Sequence, residues 1–290
     1  MPVNEVKKFI EEAKSLSVLV VGETIIDEFV EVSYEGQSMK SMCPVFKLEG
    51  KKQVQQGGAE AIAGHLKDFA KKVDIITNTQ SEIVKTRYID FSDGKKHAEV
   101  NKFDTKGFGE IKVDTSKYDV VIVADFGHGF CDQLKITDGF HLMCQTNSNN
   151  FGFNRISKWK AQRKKSACID LREASLQVNK RISDPTDNDI LEIFNYELNT
   201  DNLFVTTGKA GAFFSDGNKV KNQVSFKTKI VDTIGAGDTF YAFASMTSTL
   251  GSSDNPLLIP ALAASLSTTW LCNEKSITKQ NLLEHAASYV

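Results

Sequence analysis

No two cysteines in this chain stand in a C-x-x-C pair; five are scattered, at positions 43, 131, 144, 168 and 272. An odd, scattered set reads as reduced thiols in a cytoplasmic protein. No stretch approaches the roughly 18 consecutive apolar residues of a membrane-spanning helix. Positive charge is not in excess either: the formal net charge is −2, which gives no electrostatic basis for binding nucleic acid or an anionic membrane. The opening MPVNEVKKFIEEAKSL is acidic and amphipathic, which predicts a surface helix and not a signal peptide. With these classes set aside, 290 residues at 41% hydrophobic suit a globular α/β protein with a substantial core. Neither an internal repeat nor a linker divides the chain, so residues 1–290 are expected to form a single domain.

One stretch organises the rest: VDTIGAGDTF, residues 231–240. Asp232 precedes Gly235-Ala236-Gly237, then Asp238, then an apolar run in which Phe243, Met246 and Leu250 fall on one helical face, with Gly251 as the stop. Glycines let backbone N–H groups crowd a ligand, and a helix N-terminus favours an anion. An anion cradle with a carboxylate in the same turn suits transfer of a phosphoryl group to an alcohol. At a helix N-terminus, Asp238 is expected to have a low pKa.

The remaining chain alternates strand and helix signals. Val18–Val21 reads as a buried parallel strand, which puts Asp27 beyond its carboxyl end, where open α/β sheets bind ligands. Segments 28–32 and 43–48 read as short strands before Gly57-Gly58, a glycine turn opening a helix in which His65 caps or packs. Ile83–Asp90 and Ala98–Phe103 flank Ser92-Asp93-Gly94 as a hairpin carrying Lys85, Arg87, His97 and Glu99. Together, segments 28–48 and 83–104 predict a small sheet apart from the main one. Asp119–Ala124 is a buried strand followed by the turn Asp125-Phe126-Gly127-His128-Gly129. Phe140–Cys144 leads into an Asn-rich stretch, 145–154. Lys158–Lys165 reads as an exposed basic helix face. Leu203–Thr207 is a strand, and Thr206-Thr207-Gly208-Lys209-Ala210-Gly211 is the turn after it; helices are expected near 256–271 and 278–288.

The string D-T-x-G-A-G-D at 232–238 resembles the signature of the ribokinase-like sugar kinases, the PfkB family. The resemblance extends in order from Val18 to about Leu283. It implies a three-layer α/β/α ribokinase-like fold with a mostly parallel central sheet and a small β-sheet lid, which often carries a homodimer contact. It also implies ATP-dependent phosphorylation of a hydroxyl on a sugar or sugar phosphate. In that reading Asp238 is the base, and Gly235, Ala236 and Gly237 form the anion hole. Asp27, Gly57, Gly58, Arg87 and Asp125 meet the substrate, and Thr206, Gly208, Gly211 and Thr233 line the nucleotide site. Glu173, with Asp170, helps hold Mg²⁺ through water, and Asp232 shapes its loop or holds a monovalent cation such as K⁺. Three stretches, VLVVGETIID, PVFKLE and D-F-G-H-G, resemble the bacterial heptose-phosphate kinases. The chain departs from the pattern at Ala61 and Asp170, both usually Asn, and at 145–154. Two alternatives stay open: a sugar- or nucleotide-binding pseudokinase, and a kinase of a non-sugar alcohol such as a nucleoside or vitamin precursor.

Overall fold

Alternation along the central strands sorts their side chains into two cores. In β1 (Ser17–Gly22), Val18 and Val20 face one layer while Leu19 and Val21 face the other, and all four are buried. The computed structural model describes residues 2–79, 81–104, 108–146 and 152–289. Its main sheet joins β1 to β5 (Lys72–Ile76) on one side and to β9 (Val120–Asp125) on the other, both parallel. Beyond β9 run β11 (Phe140–Cys144), β12 (Lys164–Asp170) and β13 (Leu203–Thr206), again parallel. An antiparallel edge closes the sheet with β14 (Ala212–Ser215) and β15 (Val220–Gln223). One face is covered by α1 (Pro2–Ala13), α2 (Ala59–Leu66), α5 (Ala236–Leu250), α6 (Leu258–Ser267) and α7 (Lys279–Ala287). The opposite face is covered by α3 (Leu171–Gln177) and α4 (Asp187–Asn195).

The second sheet grows directly out of the first. After Gly22 and Glu23 the chain continues into β2 (Thr24–Gln37), one 14-residue strand where a short one was expected. Its first half pairs antiparallel with β4 (Gln53–Gly58) and its second half with β3 (Pro44–Leu48). Along its other edge lies β6 (Ile83–Asp90), parallel, and then β7 (Lys96–Phe103), antiparallel. The expected hairpin and lid are therefore present. Short β8 (Ile111–Lys112) and β10 (Leu134–Lys135) form a separate ribbon. Segment 158–165 differs from the expected exposed helix. A 3-10 turn at Ile156–Trp159 leads into β12, and Trp159 and Lys164 are buried. The Lys164 ammonium donates to the Trp159 and Gln162 carbonyls, both at 2.7 Å, and burial lowers its pKa to about 8. A lysine in a basic run looked solvated; here backbone carbonyls replace the water.

Behind β9 the turn at 125–129 is tied down by buried carboxylates. Glu23 accepts from the N–H groups of Phe126 (2.6 Å), His128 (3.2 Å) and Phe130 (3.2 Å). Asp125 accepts from Trp159 Nε1 at 2.8 Å, from Asn154 Nδ2 at 3.2 Å and from the Lys158 ammonium at 2.7 Å. Burial and the neighbouring Asp125 charge push the Glu23 pKa up to about 8. Removing one partner from such a network leaves other groups buried without compensation, which typically costs about 3–5 kcal/mol. Asp125→Ala is therefore expected to lower unfolding stability by about that amount. Urea titration reads this directly, and an unchanged midpoint would show that Asp125 does not anchor the fold.

Candidate active site

Gly235 opens α5 in the left-handed region, at φ 82°. A side chain there would meet Asn273 Oδ1 at 2.6 Å, so only glycine fits beside that loop. Ala236 N–H donates to Thr233 O at 3.3 Å. Among the described residues, the N–H groups of Gly237 and Asp238 donate to no protein acceptor. They open onto a cavity of about 600 Å³ at the carboxyl ends of the main strands, within the range of small-ligand sites. Gly251 ends the helix at φ 61°, as its sequence predicts.

Asp238 lies at the cavity wall. It keeps some surface toward the cavity, but the surrounding protein removes most of its hydration. That desolvation, reinforced by the Asp27 charge and opposed by Lys85, raises its pKa to about 7. The expectation of a low pKa from the helix dipole is therefore corrected, because burial outweighs the dipole here.

Across the cavity, β2 and β6 supply the lid wall. Asp27 is 4% exposed, and its Oδ1 accepts from Arg87 Nη1 at 2.5 Å. Its Oδ2 faces Asn273 Nδ2 at 3.4 Å and the Cys272 thiol at 3.8 Å. Arg87 Nε also donates to Glu99 Oε2 at 3.0 Å. Burial opposes the guanidinium charge, but the two carboxylates win and raise its pKa. A Cβ at Gly57 would lie 2.3 Å from Asp27 Oδ2, so the room this glycine leaves is filled by Asp27. Gly58, at φ 64°, lines the cavity and passes close to Glu23 O. Lys85, on β6 beside Asp27, lines the cavity as well, and among the described residues it has no hydrogen-bond or ion-pair partner.

Thr206, Gly208, Gly211 and Thr233 also line the cavity. Gly211, at φ 114°, would drive a Cβ to 2.0 Å from Gln223 O. Thr207 N–H closes that turn on Gly211 O at 2.9 Å. Asp170 and Glu173 begin α3 as a reciprocal cap: Asp170 Oδ1 accepts from Glu173 N at 2.7 Å, and Glu173 Oε2 from Asp170 N at 2.8 Å. Glu173 Oε1 takes Thr146 N–H at 2.8 Å. Desolvation, then the Asp170 charge, raise the Glu173 pKa to about 8.

The cavity thus brings together Asp238, Gly235, Ala236, Gly237, Asp27, Gly58, Arg87, Thr206, Gly208, Gly211, Thr233, Asp170 and Glu173. Gly57 stands behind Asp27. Asp125, expected at the substrate, is fully buried outside the cavity and holds the 125–129 turn instead. His65 packs as expected: Nδ1 accepts from Ile277 N–H at 3.0 Å, and Nε2 lies 3.0 Å from Thr239 Oγ1. Of the Asn-rich stretch, residues 147–151 lie outside the described residues. Asn273 was missed, because no motif marks its loop. Among the described residues, one group has metal-like spacing, Glu23, Asp125 and Cys131, and the Lys158 ammonium already compensates Asp125 there. No described helix is long and apolar enough to cross a membrane.

Residues 166–267 match the model of the pfkB family of carbohydrate kinases. No curated protein matches the chain by sequence. Among solved structures, Thermotoga maritima ribokinase is similar over 94% of this chain and 99% of its own, at 15% identity and a TM-score of 0.67. Methanocaldococcus jannaschii nucleoside kinase gives 95% and 99%, 15% identity and 0.67. Arabidopsis thaliana ribokinase, complexed with ribose and ATP, gives 94% and 99%, 16% identity and 0.62. At such identities the likeness establishes the fold, which is ribokinase-like. On that fold, the 166–267 segment is similar to the pfkB family of carbohydrate kinases.

Proposed function

We propose that the protein transfers the γ-phosphoryl of ATP to a hydroxyl of a sugar that carries an anionic group of its own. The carrying observation is the shared cavity. Asp238 and the uncommitted N–H groups at the start of α5 line it together with Asp27, Arg87 and Lys85 of the lid. In this reading the acceptor hydroxyl sits between Asp27 and Asp238, and Asp238 takes its proton. A base whose pKa is near 7 is well matched to that task at neutral pH. The N–H groups of Gly235, Ala236 and Gly237 face the transferring phosphoryl, where positioned donors stabilise charge developing in the transition state. Thr206, Gly208, Gly211 and Thr233 line the nucleotide end.

Mg²⁺ fits the donor set beside α3. Asp170 is exposed to the cavity, and Glu173, whose pKa burial has raised, favours a cation nearby. The ion would be held through water by these two carboxylates and would supply charge neutralisation of the phosphates. Support for an anionic acceptor comes from Lys85, whose ammonium lines the cavity unpaired while Arg87 is neutralised by Asp27 and Glu99. The partial likeness to heptose-phosphate kinases points the same way through VLVVGETIID and PVFKLE; the D-F-G-H-G turn carries no weight, since it serves the fold. Exposed Leu48, Val54 and Val100 on the lid strands support the homodimer contact implied there, which sedimentation equilibrium tests.

Asp238→Asn is expected to lower kcat by about 10³-fold or more with ATP affinity retained. The wild-type rate should climb with pH up to about 7 and then level off, as the Asp238 carboxyl loses its proton. A buried carboxyl whose folded-state pKa is raised costs stability when ionised. The same variant should therefore unfold at higher temperature than wild type at pH 8, with the gain shrinking towards pH 4. Near-normal turnover in Asp238→Asn would remove the base assignment. For the acceptor, Lys85→Met is expected to raise KM for a phosphorylated sugar about 10- to 100-fold while changing a neutral sugar little. An equal loss on both, or activity on neutral sugars alone, would overturn the anionic-acceptor reading.

A further inference from the structure

Asp232 carries a buried charge whose compensation comes from far away in the sequence. Its side chain is 4% exposed, and Oδ1 accepts from the N–H groups of Thr233 at 2.8 Å and Ile234 at 3.2 Å. The same oxygen meets the Lys96 ammonium at 2.7 Å. Lys96 is the first residue of β7, so a lid strand reaches the loop that shapes the anion hole, three residues before Gly235. A carboxylate stripped of water needs a counter-charge or several donors to stay ionised. Among the described residues its second oxygen, Oδ2, is buried with no partner, so a small cation fits the donor chemistry of Asp232. The charge count opposes that cation, because one carboxylate already faces one ammonium in direct contact.

We propose that Lys96 takes the place of the monovalent cation expected beside Asp232 and, through Asp232, positions the Thr233–Gly237 loop. Lys96 is a positioning residue, since it touches Asp232 and no reacting atom. Its ammonium neutralises the carboxylate, and the neutralised carboxylate holds the Thr233 and Ile234 N–H groups that set the loop's path. This assignment rests on the reading of 235–237 as the anion hole, but its structural half is testable without turnover.

The test compares wild type, Lys96→Gln and the double variant Lys96→Gln with Asp232→Asn in choline, sodium and potassium chloride at equal ionic strength. Thermal unfolding is read on all three proteins and ADP release on the first two. Wild type is expected to melt at the same temperature in all three salts and to turn over at rates within about twofold. Lys96→Gln should melt lower in choline, recover in potassium, and lose about tenfold or more in kcat unless potassium is present. In the double variant the response to potassium should vanish, because the carboxylate that attracts the ion is gone. Wild type that needs potassium for stability or rate would overturn the proposal, as would Lys96→Gln matching wild type in choline. If no acceptor supports turnover in any salt, the kinase reading fails by itself, and the melting series still decides the role of Lys96.

Discussion

Negative charge has to be gathered where negative charge already stands, and that constraint governs this site. Asp27, Asp170, Glu173 and Asp238 line one cavity, with Asp232 buried beside it, and a phosphoryl donor brings more. Left alone, such a set would repel the ligand; burial, reinforced by the neighbouring carboxylates, already raises the pKa values of Asp238 and Glu173. The structure answers with donors placed by different elements. Arg87 neutralises Asp27 from β6, Lys96 neutralises Asp232 from β7, and α5 turns its unpaired N–H groups inward. Most of the acids come from β12, α3, α5 and the loop before α5, while the small sheet delivers Asp27 and both cations, so the balance exists only when both layers are assembled. A separate charged network, Glu23 and Asp125 with Lys158, ties down the 125–129 turn after β9.

Much of this was legible in the sequence where a local rule sufficed. The buried strands at 18–21 and 119–124 announced themselves as β-branched runs, the lid hairpin by Asp93-Gly94, and α5 by glycines at both ends. The turn and helix start at Gly235–Asp238 were legible because turn, cap and helix lie within ten consecutive residues. The long strand β2 was underestimated for a physical reason. Its inward positions run Ile25, Asp27, Phe29, so a buried carboxylate interrupts the apolar alternation that marks a strand.

The misreadings share a cause, which is that charge in a sequence carries no information about solvent. Lys164 looked like part of a solvated basic face and proved to be held by two carbonyls. Asp125 looked like a strand-end ligand residue and became a buried acceptor for Trp159 and Lys158. The pKa of Asp238 was misjudged because the dipole at its helix is a local property, whereas desolvation depends on everything packed around the cavity. Glu23, Lys96 and Asn273 had no motif to reveal them. Each gained its place through contacts across 100 or more residues, which only the fold provides.

The continuity of β2 with the central sheet has a mechanical meaning. The strand leaves the sheet at Gly22–Thr24 and runs outward as the spine of the lid, with Asp27 near its root and Gln37 at its far end. In any rocking of a rod about its base, points near the base barely travel while distant points sweep wide arcs. Were the small sheet to rock about that root, Asp27 would lie close to the fulcrum and move least. The outer reaches of the same sheet would travel furthest. In that motion one strand would be both anchor and lever arm.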